Sequence, residues 1–291
     1  MKISFKNVCF RYNSQLPDQP EVLKDINLDI ANGEFVAIVG PSGSGKTTLL
    51  QHFTGLLRPS SGSIYVEDRD IWGKNYPLQE LRRRIGLVFQ FPESQLFERT
   101  VFLDVAFAPM MQKFPASEVS RRVNNALRLV GLDDEKIQSR SPHQLSQGEK
   151  RRVAIAGVLA MEPEVLALDE PTAGLDPMGA RTIVALLNGL HSHGKTIIFI
   201  THYLDLVFRL APRMIVLNQG RICYDGKPID LFHHSTILEQ TDLEPPRVIR
   251  LIQYLRNKNL WPMDGNESLE AQLRSLEAII SHRLGNRAPG E

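Results

Sequence analysis

The segment Gly40-Pro41-Ser42-Gly43-Ser44-Gly45-Lys46-Thr47-Thr48 follows the apolar run Phe35-Val36-Ala37-Ile38-Val39 with no spacer, so a buried strand empties into a glycine-rich phosphate loop. Gly43 and Gly45 let the backbone curl its N–H groups around phosphate oxygens. Lys46 would reach the β- and γ-phosphates, and the Thr47 hydroxyl would sit on Mg²⁺. The helix that follows points its positive end at the same anion. A dinucleotide fold fits worse, because the Gly-x-Gly-x-x-Gly frame from Gly43 meets Thr48 where its third glycine belongs.

The rest of the chain supplies the sheet that such a loop needs. Apolar runs recur at Ile85 to Phe89, Val165 to Leu168, Thr196 to Ile200 and Met214 to Leu217, separated by segments of helical pattern, which predicts a parallel α/β core. Ahead of the loop, Ile3-Ser4-Phe5 and Ile26 to Ile30 alternate in polarity before an Asn32-Gly33 turn, predicting an antiparallel β section. From Phe91 to about Ala160 the pattern is helical, with breaks at Pro92, Pro109, Pro115 and Pro142, and reads as an inserted helical subdomain. Beyond Lys227, Val248, Leu251, Ile252 and Leu255 recur at helical spacing. So do Leu269, Leu273, Leu276, Ile280 and Leu284, which predicts a small C-terminal helical domain over 227–291 that packs on the body or on a second copy.

With 291 residues, 42% of them hydrophobic, the chain can bury a full core. A formal charge of +1 offers no overall pull toward nucleic acid or anionic lipid. The basic runs Arg82-Arg83-Arg84, Arg121-Arg122 and Lys150-Arg151-Arg152 read as solvated helix faces. Cys9 and Cys223 read as free, buried thiols of a reducing compartment. No run of about 18 apolar residues occurs, and the N-terminus lacks a signal-peptide stretch, so any membrane role is expected to be peripheral.

Four polar candidates each follow a predicted strand: the phosphate loop, Gln90, Asp169-Glu170 and Thr201-His202. Open α/β sheets bind ligands at the carboxyl ends of their strands, so one crevice could hold all four. Asp169 is expected to complete the Mg²⁺ shell and Glu170 to orient and deprotonate the attacking water, with the two side chains facing opposite ways as strand neighbours do. His202 is read as a γ-phosphate sensor, and Gln90 as an amide that coordinates Mg²⁺ or water, although a plain loop glutamine would look identical in sequence. Ser146, at the head of a helical run, marks a second anion site. Since one phosphate loop is already complete, that site is expected to serve a nucleotide held by a second subunit.

In this order the motifs resemble the nucleotide-binding domain of ATP-binding cassette (ABC) transporters, a P-loop NTPase fold, over residues 1 to about 226. The resemblance makes Gly40, Ser42, Gly43, Gly45, Lys46, Thr47 and Thr48 the Walker A contacts, Gln90 the Q-loop glutamine and Leu145 to Glu149 the signature. Walker B runs from Val165 to Asp169 with Glu170 next, Ala173 to Asp176 is the D-loop and His202 the switch histidine. Tyr12 matches the aromatic that stacks on adenine, a core tyrosine being the alternative. Ser146 and Gly148 would face ATP across a head-to-tail dimer.

Phe89 to Phe97 and Arg152 to Pro177 look like the ATPase subunit of energy-coupling factor (ECF) transporters, the prokaryotic vitamin and metal-ion importers. Asp242-Leu243-Glu244-Pro245-Pro246 fits the dimerising C-terminal extension of such subunits. The resemblance implies ATP and Mg²⁺, a second ATPase subunit, a transmembrane scaffold (T component), a membrane substrate-binding (S) component and no nucleic acid. It also places the chain on the cytoplasmic face of the membrane, with Glu93 the candidate partner for a scaffold arginine. The signature carries Gln147 where glycine is usual and Glu149 where glutamine is common, which points toward a heterodimer and weaker ATP contact. The alternative, a soluble cassette that remodels nucleic acid or ribosomes, would call for two cassettes, a coiled-coil insertion or a basic face.

Overall fold

The computed structural model describes residues 1–12, 20–233, 235–241 and 243–258. Strands β1 (Ile3–Phe10) and β2 (Leu23–Ile30) pair antiparallel, with Phe5 opposite Leu28. The Asn32-Gly33 turn, with Gly33 at φ 74°, delivers the chain into β3 (Phe35–Val39), whose five residues are all buried. Helix α1 (Lys46–Phe53) follows the loop, and then β4 (Ser61–Val66) and β5 (Arg69–Asp70) complete a four-stranded antiparallel sheet ordered β2-β1-β4-β5. The antiparallel section therefore extends past the phosphate loop. The polar first half of β4, Ser61-Gly62-Ser63, hides it from a search for alternation.

Helix α2 (Leu78–Arg84) runs into β6 (Ile85–Val88). Between β6 and β7 (Val165–Asp169) lie α3 (Val101–Met111), α4 (Ala116–Leu129), α5 (Glu135–Gln138) and α6 (Gln147–Leu159). Pro109 does not break the chain as the sequence predicts. It sits inside α3 near its end, buried, while Pro92 and Pro142 open 3-10 turns and Pro115 precedes α4. After β7 come α7 (Pro177–Ser192), β8 (Thr196–Ile200), α8 (Leu204–Leu210), β9 (Arg213–Asn218) and β10 (Arg221–Gly226). The resulting six-stranded sheet has the order β10-β9-β3-β8-β7-β6, and β10 pairs antiparallel with β9.

The two-residue period of the central strands divides the core. Ala37, Leu168 and Phe199 face the helices α3, α4, α6 and α7, joining Val105, Val123, Ile155 and Ile183. Ile38, Ala167 and Ile198 face the antiparallel sheet, joining Ile3, Ile64 and the α1 residues Leu49 and Phe53. The hydrophobic core of the helical segment is thus continuous with one face of the sheet.

Beyond β10 lie α9 (Ser235–Thr241) and α10 (Arg247–Asn257). The buried residues of α10 include Ile249 and Ile252, whereas Leu251, assigned to the packing stripe from sequence, is 42% exposed. Asp242 and the second predicted stripe, Leu269 to Leu284, lie outside the described residues. Among the described residues no helix is long and apolar enough to cross a membrane. Both cysteines are free, but Cys9 is half-buried and Cys223, on the edge strand β10 with its Sγ 3.4 Å from the Val216 carbonyl of β9, is exposed.

Candidate active site

Strands β3, β8, β7 and β6 are consecutive in the sheet and run parallel, so their carboxyl ends meet along one edge. The phosphate loop follows β3, His202 follows β8, Asp169 ends β7 and Gln90 follows β6. A cavity of ≈ 450 Å³ at this edge is lined by Gly40, Ser42, Gly43, Gly45, Lys46, Thr47, Thr48, Gln90, Asp169, Glu170 and His202, closed by Val22 and Ile200. Tyr12, Glu93, Ser146 and Gly148 are not among its lining residues.

Gly45 caps α1 at φ 102°, and a Cβ there would lie 2.8 Å from the Val22 carbonyl oxygen, so the loop excludes any other residue at this point. Lys46 Nζ donates to the carbonyls of Gly40 (2.9 Å) and Pro41 (2.8 Å), curling over the loop it serves. Burial lowers its pKa, and the charges of Glu170 and Asp169 oppose that shift. Thr47 Oγ1 donates to Asp169 Oδ2 at 2.6 Å. Burial raises the pKa of Asp169, against the Thr47 hydrogen bond and the charge of Lys46. The Thr47 hydroxyl, the Asp169 carboxylate and the Gln90 amide offer a set of hard oxygen donors at the cavity. That sparse oxygen set suits Mg²⁺, which keeps its waters and is shared with substrate phosphates.

Asp169 and Glu170 do not face opposite ways as strand alternation predicts, since both line the cavity. Glu170 lies just past the end of β7 at φ 50°, and its N–H donates to the Ile200 carbonyl at 3.0 Å. This left-handed residue breaks the alternation and turns the second carboxylate back toward the first. Its side chain is held on both oxygens: His202 Nδ1 lies 2.7 Å from Oε1, and Thr201 Oγ1 donates to Oε2 at 3.3 Å.

The backbone of Glu170 is held as well. Arg151, read from sequence as part of a solvated face, is 2% exposed and donates through its guanidinium to the carbonyls of Glu170 and Ala173. The signal for it was present, because Arg151, Ile155 and Leu159 form an i, i+4, i+8 line of buried residues on α6. The other basic runs also have partners. Arg84 binds Glu67 and Glu164, and Arg122 binds Glu118 and Glu162.

Of the remaining predicted residues, Tyr12 is 56% exposed rather than a core residue, and its hydroxyl lies 2.8 Å from Thr48 Oγ1. Ser146 caps α6 in a reciprocal capping box, its hydroxyl accepting from the Glu149 N–H at 3.3 Å while Glu149 Oε2 accepts from the Ser146 N–H at 2.8 Å. The same oxygen also accepts from the Ser146 hydroxyl at 2.8 Å. The unusual Glu149 therefore stabilises the start of α6, and these hydrogen bonds to Ser146 lower its own pKa. Gln147 is not at positive φ, so the side chain in place of the usual glycine brings no backbone strain. Its amide donates to Glu93 Oε1 at 2.9 Å, and Glu93 Oε2 is buried without a partner.

Beside the site, a second groove of ≈ 330 Å³ is lined by residues that include Leu87, Phe89, Gln95, Phe97 and Phe107. Phe97 and Phe107, 61% and 42% exposed, meet edge to face at 5.0 Å.

A phosphate loop facing a held carboxylate across the edge of a parallel sheet, with a helical segment inserted between β6 and β7, defines an ATP-binding cassette. The ABC transporter family profile matches residues 23–173. The energy-coupling factor transporter ATP-binding protein EcfA2 of Clostridium tetani is 42% identical over 287 residues, covering 98% of this chain and 100% of the relative. The solved structure of cbiO1 from Clostridium perfringens, part of the ABC transporter complex cbiONQ, aligns with a TM-score of 0.72 at 41% identity, covering 86% of this chain and 98% of that one. The ATP-binding cassette MJ0796, in a dimeric post-hydrolysis state bound to ADP and Pi, aligns at 0.69 and 33% identity over 78% of this chain and 98% of its own. The chain belongs to the family of energy-coupling factor transporter ATP-binding proteins.

Proposed function

We propose that this chain binds ATP in the cavity between the phosphate loop and Glu170, hydrolyses it, and so powers an ECF-type importer. The observation that carries the reading is the Glu170 carboxylate, held by His202 and Thr201 in the cavity that the phosphate loop lines. The loop amides and Lys46 bind the phosphates. Glu170 orients a water for attack on the γ-phosphorus and accepts its proton as the bond to the β-phosphate oxygen breaks. Such general-base assistance is worth about 10² to 10⁴ in rate. Thr47, Asp169 and Gln90 would hold Mg²⁺, which when bound neutralises charge on the phosphates. His202 senses the γ-phosphate through the carboxylate it touches.

Residues 1–226 form the ATP-binding unit, with the helical subdomain over about 91–160, and 227–291 the dimerising accessory domain. The dimeric neighbour supports a pair of ATPase subunits, same or related chain; in the head-to-tail arrangement that the motifs imply, Ser146 and Gly148 of one subunit cover ATP on the loop of the other. The apolar groove with Phe97 and Phe107 fits a helix of a transmembrane scaffold. The buried, unpartnered Oε2 of Glu93 supports pairing with a scaffold arginine, and a charge swap between the two should restore coupling. The chain is then peripheral on the cytoplasmic face, and a separate membrane component recognises the vitamin or transition-metal ion.

Two measurements test the reading. Hydrolysis by E170Q at the unaltered rate would overturn the catalytic assignment. Affinity purification from native membranes that recovers only soluble proteins would overturn the transport assignment, whereas a multi-span scaffold with small membrane proteins would support it.

A further inference from the structure

Gln147 and Arg151 stand four residues apart on α6, so they share one face of the helix. Gln147 reaches the loop after β6, donating to Glu93 Oε1 at 2.9 Å. Arg151 reaches the loop after β7, its two terminal nitrogens on the carbonyls of Glu170 and Ala173. Arg151 Nε and Glu93 Oε2 are both buried without a partner, and the charge of Glu93 acts on Arg151.

A buried guanidinium used for two backbone carbonyls, with no carboxylate paired to it among the described residues, is an expensive way to stabilise a fold. A planar fork with fixed donor directions is, however, well suited to holding two carbonyls at a set spacing. One of these belongs to Glu170, at the left-handed position that turns its carboxylate into the cavity.

We propose that Arg151 is a positioning residue for Glu170, and that Gln147 ties its helix to Glu93, so that α6 links the loop after β6 to the catalytic carboxylate. The inference rests on the reading of Glu170 as general base. Displacement of Glu93 shifts the first turn of α6, and Arg151 passes that shift to the Glu170 backbone. No direct contact between the loop after β6 and Glu170 is required. Gln147, which replaces the usual glycine, supplies the link in this chain.

The test measures steady-state hydrolysis, nucleotide affinity and thermal melting of the full-length chain purified with its membrane partners. Lysine keeps the charge but not the fork. R151K is therefore expected to lower kcat about 10- to 100-fold, the cost of misplacing a reacting group by about 1 Å, with KM and the melting temperature unchanged. An unchanged kcat, or a parallel loss of kcat, affinity and melting temperature, would overturn the proposal. Gln147 is exposed at the helix start, so Q147G keeps the fold and gives an independent arm. E93Q should lower kcat in the Gln147 background and have no further effect beside Q147G, while additive losses would overturn the link. E170Q, run in parallel, separates the two levels: full activity there removes the general-base reading, whereas an inactive E170Q beside a fully active R151K removes only this proposal.

Discussion

His202 Nδ1 lies 2.7 Å from Glu170 Oε1, so the histidine after β8 touches the carboxylate after β7 directly. The two elements are neighbours in the sheet, with Asp169 in register with Ile200. A carboxylate accepts, so Nδ1 carries the proton and Nε2 is left for the cavity. H202A is expected to reduce kcat about 10²-fold or more, the low end of acid–base contributions, with nucleotide affinity almost unchanged. H202Q, which retains a donor, should recover part of the loss. Equal kcat in H202A and the parent would show that the contact does not serve turnover.

The Thr47–Asp169 contact of 2.6 Å predicts a different phenotype, because these two residues meet where a cation would bind between them and the phosphates. T47A and D169N should leave Mg²⁺-free ATP binding in place and raise the Mg²⁺ concentration needed for half-maximal hydrolysis about 10- to 150-fold, one bond to a charged group being worth about 1.5–3 kcal/mol. A Mg²⁺ titration of each variant checks this. An unshifted midpoint would detach both residues from the metal.

Acid stability depends on a histidine outside the cavity. His52, fully buried on α1, has its Nδ1 2.7 Å from the Thr48 carbonyl, so Nδ1 donates and the unpartnered Nε2 carries the lone pair. Burial pushes its pKa down from 6.5 to about 4, against the hydrogen bond to Thr48. Below pH 6.5 the unfolded chain takes up a proton that the folded ring refuses, so this contribution is complete above that pH. It declines as pH falls and levels off below about 4. The full span is worth about 3 kcal/mol, at 1.36 kcal/mol per unit. Urea unfolding at pH 7, 5 and 4 should show H52Q losing less stability with acid than the parent; identical slopes would reject the assignment.

Much of this site was legible in sequence for a physical reason: residues at strand ends need only the order of apolar runs to be placed. Gln90, Asp169 and His202 each follow such a run, and parallel pairing brings them to one edge. What pattern alone misses depends on single backbone angles and on burial. The φ of 50° at Glu170 reverses a side-chain direction that strand alternation assigns wrongly. Arg151 looks like its neighbours Lys150 and Arg152 until the helix phase puts it on the line of Ile155 and Leu159. The partnership of Gln147 with Glu93 joins residues 54 positions apart, and no local pattern encodes it. In the fold, β4 and β5 escaped because β4 opens on the polar Ser61-Gly62-Ser63 and the edge strand β5 is only two residues long, so neither carries the apolar run that marks β3, β7 and β8.

Tyr12 provides the last prediction. Its ring is 56% exposed, meets Phe10 edge to face at 5.0 Å, and is anchored through its hydroxyl to Thr48, on the helix that starts at the phosphate loop. Phe10 in turn meets His52 at 4.7 Å, so the ring stands on a buried aromatic base rather than swinging in solvent. An exposed ring fixed beside a phosphate site presents a face on which a nucleobase can stack. Such stacking is worth about 1–3 kcal/mol and is indifferent to the base. Y12A should therefore weaken ATP and GTP binding by the same factor, about 5- to 150-fold by that energy. Y12F, which keeps the face and loses only the Thr48 bond, should stay close to the parent. Fluorescence titration with both nucleotides distinguishes the cases: loss of ATP affinity alone would mean that Tyr12 reads the base edge, and no loss in Y12A would mean that the ring does not meet the nucleotide.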